Sequence, residues 1–364
     1  MGGEYTPEVL DDLHARVRRD LARWGLSPRA KVSLLNVSEN ATFALCEPEG
    51  RELVLRVHRV GYSSAEEIRS ELAWMSALRA ESIVDGAAPV SGVDGDFVQV
   101  LEPLEGEPRL SGAQPQLRGA QTRLQGVWPR LWDALPRRFA VAFERLPGRE
   151  PEAGDAVHWF ERLGEITARM HAHSRSWVLP EGFSRKRWDF DAMVGERAFW
   201  GPWRAAIGLE DAGIIVLERA LESLRQRLAL IGETPDVFGL VHADLRLANL
   251  LVDGHHLRVI DFDDCGFSWY LYDFATAVSF IEHEPVVPTL LRSWLAGYRR
   301  TRGLSDEAAA DIPGFVILRR ILLTAWLASH AEVPFAREFG ADYTRGTVQL
   351  AQAWLDGDFL KSAF

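Results

Sequence analysis

The sequence predicts an α+β protein of two parts: a small N-terminal part built on an antiparallel β-sheet and a larger, mainly helical C-terminal part. Three observations carry this. Between residues 31 and 58, three short apolar runs are separated by Ser38-Glu39-Asn40 and Pro48-Glu49-Gly50, the punctuation of a strand meander. From residue 157 onward, apolar residues recur at helical spacing over several long stretches. Within that helical series, Gly239–Asp264 stands out. Two apolar runs, 249–252 and 256–260, flank Asp253-Gly254, which reads as a tight β-hairpin.

Composition sets the outer limits. A chain of 364 residues is long for one domain, and 47% hydrophobic residues suffice for sizeable cores. The net charge of −11, from 41 basic and 52 acidic residues, argues against wholesale nucleic-acid binding. An acidic surface suits a cationic small partner. Cys46 and Cys265 lie far apart and give no disulfide framework, as in a reducing cytosol. The N-terminus is polar and carries no signal-peptide pattern. No uninterrupted apolar run reaches the roughly 18 residues of a membrane span, so a cytoplasmic protein is expected.

Taken in order, residues 7–24 form an amphipathic helix with Thr6 as N-cap, Pro7 at the first position and Gly25 at the end. Strands follow at 31–37, 41–47 and 52–58. Residues 64–79 carry Ile68, Leu72, Met75 and Leu78 on one helical stripe. Residues 88–92 and 95–100 read as a further strand pair joined by a Gly-rich turn. Residues 104–138 differ in composition. They hold six arginines and only three acids, Glu105, Glu107 and Asp133; they are expected to be an insertion, with one short helix from Leu117 to Leu131. Ala140–Glu144 is the last strand of this part.

The C-terminal part begins with a helix at 157–173, which ends in His171 and His173. These two stand two positions apart and do not face one another on a helix, so a shared metal is not expected. Residues 184–204 mix aromatics with carboxylates, among them Trp188, Asp189 and Asp191: the wall of a small-molecule pocket or a packed, capped loop. A long helix spans 211–232. After the hairpin, Asp273 is expected to cap the next helix, which ends at Glu282-His283-Glu284-Pro285. Helices at 289–300, 315–330 and 342–354 complete the chain. Glu282 is a candidate acceptor contact or a solvated helix end.

The centre of the argument is the hairpin's approach, His242-Ala243-Asp244 with Asn249 five residues on, and Asp261 twelve positions later in Ile260-Asp261-Phe262-Asp263. The hairpin brings Asn249 and Asp261 together at one end. Phosphoryl transfer needs an acid at the acceptor hydroxyl, and an amide oxygen and a carboxylate on Mg²⁺. The pattern H-x-D-x-x-x-x-N, hairpin, I-D-F resembles the aminoglycoside phosphotransferase and choline kinase family, of two-lobed protein-kinase-like fold. The stretch Leu55-Arg56-Val57-His58-Arg59 with Ser70-Glu71-Leu72 resembles a subgroup that includes stress-response and homoserine-kinase-like proteins. Ala243 departs from the family, which usually has glycine there; alanine is tolerable unless the position needs φ > 0.

The resemblance implies a nucleotide-covering lobe at 1–148 and a helical catalytic and acceptor lobe at 149–364. ATP and Mg²⁺ are the implied cofactors. Asp244 would orient and deprotonate the acceptor hydroxyl, while Asn249 and Asp261 hold the metal. Ser38 and Asn40 take the place of the phosphate-covering loop. Arg56 stands where protein kinases have lysine and is expected to pair with Glu71. Glu144 and Leu146 lie at the hinge that pairs with adenine. His242, Asp263 and Asp273 are supporting residues. The implied partner is a hydroxyl-bearing small molecule resembling an aminoglycoside, choline or homoserine, and no nucleic acid or membrane. A protein Ser/Thr kinase and a nucleotide-binding pseudokinase scaffold are the alternatives; Cys265–Tyr270 is too short for an activation segment.

Overall fold

The computed structural model describes residues 5–104, 137–152, 155–331 and 334–364. The predicted insertion at 104–138 lies almost wholly outside them. Contacts divide the chain into two compact units, one comprising Glu4–Ala65 and Pro89–Arg145, the other Glu66–Ala88 and Leu146–Phe364. Glu66–Ala88 thus goes with the larger unit rather than with its neighbours in sequence.

In the smaller unit, α1 (Pro7–Arg19) opens with the Thr6 cap, whose hydroxyl accepts from the Val9 amide at 3.4 Å. The predicted helix to residue 24 is interrupted. The chain tightens into a 3₁₀ turn at Leu21–Trp24 and stops at Gly25, φ 68°. The sheet consists of β1 (Lys31–Val37), β2 (Ala41–Cys46), β3 (Glu52–Val57), β4 (Pro89–Val90), β5 (Gln99–Leu101) and β6 (Arg138–Glu144). Its order is β1-β2-β3-β6, all antiparallel. The expected β4–β5 pair is not formed: both strands hydrogen-bond to β6, Val90 opposite Ala142 and Gln99 opposite Ala140. The turn between them is stitched by its own polar groups instead, Gln99 Nε2 donating to the Asp94 carboxylate at 2.8 Å. Leu13, Val17, Leu21 and Trp24 pack with Phe43, Leu45, Leu53 and Leu55 to form the core. Burying such apolar side chains contributes roughly 1.5–3 kcal/mol each.

The larger unit starts with α2 (Ala65–Ala80) and continues with α3 (Ala156–Ser176), β7 (Lys186–Arg187), α4 (Phe190–Val194) and α5 (Asp211–Ile231). A second, three-stranded sheet places β11 (Gly266–Trp269) between β7, parallel, and β8 (Phe238–Val241), antiparallel. Between β8 and β11 lies the predicted hairpin, β9 (Leu250–Asp253) with β10 (His256–Val259). Asp253 pairs with His256, so the two-residue connection is Gly254-His255, and Gly254 takes φ 57°. Then come α6 (Tyr272–Ala277), α7 (Val287–Thr301), α8 (Asp306–Ala309), α9 (Ile312–Ser329) and α10 (Pro334–Leu355), the last kinked at Gly340. α6 is shorter than expected, ending at Ala277 rather than near Glu282. Helices α3 and α7 cross at two glycines. A Cβ on Gly164 would collide with the Trp294 carbonyl, and one on Gly297 with that of Glu161. By length and composition, 306–329 is apolar enough to cross a membrane, but 89% of that window is buried inside the unit, as in a core helix.

Candidate active site

The loop between β8 and β9 is fixed by buried groups rather than by regular structure. Asp273 is the anchor. Its carboxylate accepts from the amides of His242 (3.1 Å) and Ala243 (2.8 Å) and from His171 Nε2 (2.9 Å). This corrects the capping role expected from sequence: the N-cap is Leu271, and Asp273 sits inside the first turn of α6. Burial pushes the pKa of His171 down, against the pull of Asp273. The ring is therefore neutral at pH 7, donating through Nε2 to Asp273 and accepting at Nδ1 from the Tyr298 hydroxyl at 3.0 Å. His173 faces elsewhere, accepting from Trp74 Nε1 at 3.4 Å.

His242 is fully buried. Its Nδ1 accepts the Asp244 amide at 3.3 Å, so Nε2 carries the proton and donates to the Ile260 carbonyl at 3.2 Å. The ring packs on Phe262, centroids 4.4 Å apart. His242 thus ties the loop to the segment bearing Asp261 and is not placed as a base. Ala243 takes φ 66°, the left-handed region that glycine enters freely, and its methyl is buried. Ala243→Gly should leave the melting temperature within a few degrees of wild type. Ala243→Val, β-branched at positive φ and overpacked, should destabilise by roughly 1–3 kcal/mol or more; thermal unfolding of both variants checks this.

Asp244 lies at the centre. Its Oδ2 accepts from Asn249 Nδ2 at 2.6 Å and from Arg246 Nε at 3.3 Å; Oδ1 accepts from Arg319 Nη2 at 2.9 Å. Burial would raise its pKa, but the Arg246 and Arg319 guanidiniums, with smaller help from the Asn249 amide, outweigh that and hold it below the usual carboxylate value. Asp244 is ionised at neutral pH. Because the Asn249 amide nitrogen faces Asp244, also reaching its carbonyl at 2.8 Å, the Asn249 oxygen is left as an acceptor. The Ile260 amide donates to the Asn249 carbonyl at 3.0 Å, which sets Asp261 beside Asn249 at the hairpin base. Asp261 is exposed with φ 62°, a conformation aspartate tolerates better than most residues. Asp263 is buried.

This donor set fits a magnesium ion. An amide oxygen and one or two carboxylates are what Mg²⁺ takes from a protein when nucleotide phosphates supply the rest. Among the described residues no cluster of three His, Cys, Asp or Glu offers an all-protein cage.

The remaining candidates are placed as follows. In the smaller unit, the Ser38 amide donates to the Asn40 carbonyl at 3.0 Å, closing the β1–β2 turn, and Asn40 Oδ1 accepts from the Arg59 amide at 3.2 Å. Arg56 is buried with its guanidinium 5.3 Å over Phe143. Glu144 ends β6, exposed, and Leu146 is half-buried in the larger unit. Glu71, fully buried in α2, lies in the electrostatic reach of Arg185. Arg185 donates to the carbonyls of Glu67 (3.0 Å), Cys265 (2.6 Å) and Asp263.

The acceptor candidates are not drawn together. Trp188 is buried, its Nε1 donating to the Asp264 carbonyl at 2.7 Å; Asp189 caps α4; Asp191 is exposed beside Arg225. Glu282 is neither solvated nor at a helix end. Only 2% exposed, it pairs with Arg320 and accepts from the Tyr343 hydroxyl at 2.9 Å. Removing one partner of a buried ion pair strands the other. Arg320→Met should therefore destabilise by roughly 3–5 kcal/mol, read as a loss of melting temperature.

Arg246 and Arg319 were missed from the sequence, although both touch Asp244. A signal existed: Arg319-Arg320 interrupts an otherwise apolar helix, and a buried arginine requires a partner.

With this geometry established, likeness to known proteins becomes informative. The model of a phosphotransferase enzyme family matches residues 32–128 and 124–304. Among curated proteins, the amicoumacin kinase of Bacillus subtilis is 24% identical over 316 residues, 83% of this chain and 81% of its own. Among solved structures, a microcompartment-associated aminopropanol kinase is 38% identical with a TM-score of 0.80, covering 96% of this chain and 99% of that one. The choline kinase LicA of Streptococcus pneumoniae, 14% identical with a TM-score of 0.60 over 95% and 99% of the two chains, shares the fold. The loop geometry and these likenesses agree: the chain is a kinase-like enzyme that belongs to the phosphotransferase enzyme family.

Proposed function

We propose that this enzyme uses Mg²⁺ and ATP to phosphorylate the hydroxyl of a small, cationic amino-alcohol acceptor. The observation that carries the reading is Asp244: an ionised carboxylate, locked by Asn249, Arg246 and Arg319, with Asn249 and Asp261 adjacent. Asp244 receives the acceptor's O–H as a hydrogen bond and takes its proton as the phosphoryl group arrives. A weakly basic carboxylate suffices, because a loose transition state develops little charge on the nucleophile before transfer. Asn249 and Asp261 hold the magnesium ion, which, when bound, neutralises phosphate charge. Asp273 and His171 keep the loop in place, and His242 holds it to Ile260. In the nucleotide role we place Ser38 and the Asn40 turn, Arg56, Glu71, and the backbone at Glu144 and Leu146.

Two features support a small acceptor. The relative at 38% identity is an aminopropanol kinase. The stretch where protein kinases carry a long activation segment is β11, paired on both sides. The acidic chain suits a cation. A coupled ADP-release assay with Mg-ATP tests this against amino alcohols, choline, homoserine, an aminoglycoside and a serine peptide. Release stimulated by amino alcohols is the expected result. Stimulation by the peptide alone, or by no acceptor, overturns the acceptor assignment.

A further inference from the structure

The hydrogen-bond pattern of α9 points to Arg319 as the positioning residue that holds Asp244 in its acceptor-ready orientation; this rests on the reading of Asp244 given above. Arg319 is 75 residues from Asp244 in sequence and 2% exposed. Every nitrogen of its guanidinium has a separate task. Nη2 donates to Asp244 Oδ1 at 2.9 Å, Nη1 to the Tyr272 hydroxyl at 3.1 Å and Nε to the Ser279 hydroxyl at 3.2 Å. The flat face lies 5.4 Å over Trp200. A planar fork held at two points, by Tyr272 of α6 and Ser279 of the turn after it, cannot rotate independently of them. Asn249 and Arg246 both grip Oδ2; Arg319 grips the other oxygen. With both oxygens held from opposite sides, the carboxylate plane is fixed.

The neighbouring arginine supports this frame. Adjacent helix positions point about 100° apart, so Arg320 faces away and pairs with Glu282. Between Ser279 and Glu282 stands Phe280 at φ 71°, rare for a bulky residue and a mark of an over-determined turn. That turn presents Ser279 to Arg319 and Glu282 to Arg320. Ser279, two places past the end of α6, is thereby tied to the catalytic loop through Arg319, while Glu282, five places past it, is held by Arg320.

A double-mutant cycle tests the assignment, with Arg319→Met, Asp244→Asn and the pair. If Arg319 acts through Asp244, Arg319→Met lowers kcat by roughly 10–10²-fold, the scale of a small misplacement of a reacting group. KM for ATP stays near wild type. Adding Arg319→Met to Asp244→Asn then changes kcat little, because residues acting as a unit are non-additive. Arg319→Lys, a point charge without the fork, recovers only part of kcat. Tyr272→Phe, which keeps the ring and removes one tether, serves if Arg319→Met does not fold; it should show a smaller loss with the same non-additivity. Losses that multiply in the double mutant, or wild-type kcat in folded Arg319→Met, overturn the proposal. Full activity in Asp244→Asn alone would instead overturn the reading of Asp244 and leaves the two failures distinct.

Discussion

Asp244→Asn should lower kcat by roughly 10²–10⁴-fold, the usual loss on removing a positioned acid-base group, with KM for ATP little changed. The side chain keeps its shape but loses the charge that accepts the hydroxyl proton. Its other partners suffer as well: Arg246 and Arg319 would face an amide. Leaving charged donors poorly matched costs about 1–3 kcal/mol. The pH dependence of that cost has a definite sign. The folded-state pKa of Asp244 is depressed, after the arginines overcome burial. Its contribution is therefore fully present above the unfolded value of about 3.9 and is lost as pH falls through the lower folded value. The stability difference between wild type and Asp244→Asn should be flat from about pH 5 to 8 and shrink below about pH 4. Steady-state kinetics and thermal unfolding across this range check both parts. Wild-type turnover in the mutant would remove Asp244 from the mechanism.

Asp261→Ala should abolish the metal-dependent part of nucleotide binding, since Asp261, which follows Ile260 at the base of the hairpin bonded to the Asn249 carbonyl, is the carboxylate proposed to hold the metal. Its backbone at φ 62° complicates alanine, which enters that region at a cost of roughly 1–2 kcal/mol. Asp261→Asn is the cleaner variant, keeping the conformational tolerance and removing the charge. Calorimetric titration with ATP, with and without Mg²⁺, should show a large affinity gain from the metal in wild type and little in either variant. An unchanged gain would mean that Asp261 is not a ligand.

Much of the fold was legible because its signals are local. The β9–β10 hairpin followed from Asp253-Gly254 between apolar runs, and α1 from Thr6-Pro7. Helices α5 and α9 followed from spacing. The loop from His242 to Asn249 was legible for a different reason: the spacing of His242, Asp244 and Asn249, with Asp261 after the hairpin, is itself the motif. What escaped was set by distant contacts. β4 and β5 both dock on β6, a strand far on in the sequence: Val90 pairs with Ala142 and Leu101 with Arg138. Asp273 was read both as a cap, from its place at the start of a helix, and, from the resemblance, as a support of the catalytic loop; its carboxylate takes two amides of that loop and His171 and caps nothing. Glu282 was read as an acceptor contact or a solvated helix end, whereas it is buried against Arg320, 38 residues on. Arg319, 75 residues from Asp244, left only a buried charge in an apolar helix as its trace. Trp188, Asp189 and Asp191 share a stretch of sequence but point to packing, capping and solvent.

The most direct test of the central claim is ³¹P NMR of a reaction containing the enzyme, Mg-ATP and an amino-alcohol acceptor, run in parallel with Asp244→Asn. The account predicts a phosphomonoester resonance of the acceptor growing as ATP is converted to ADP, and almost none with the mutant over the same time. A wild-type reaction yielding only inorganic phosphate or unchanged ATP, or a phosphomonoester formed equally fast by Asp244→Asn, would contradict it.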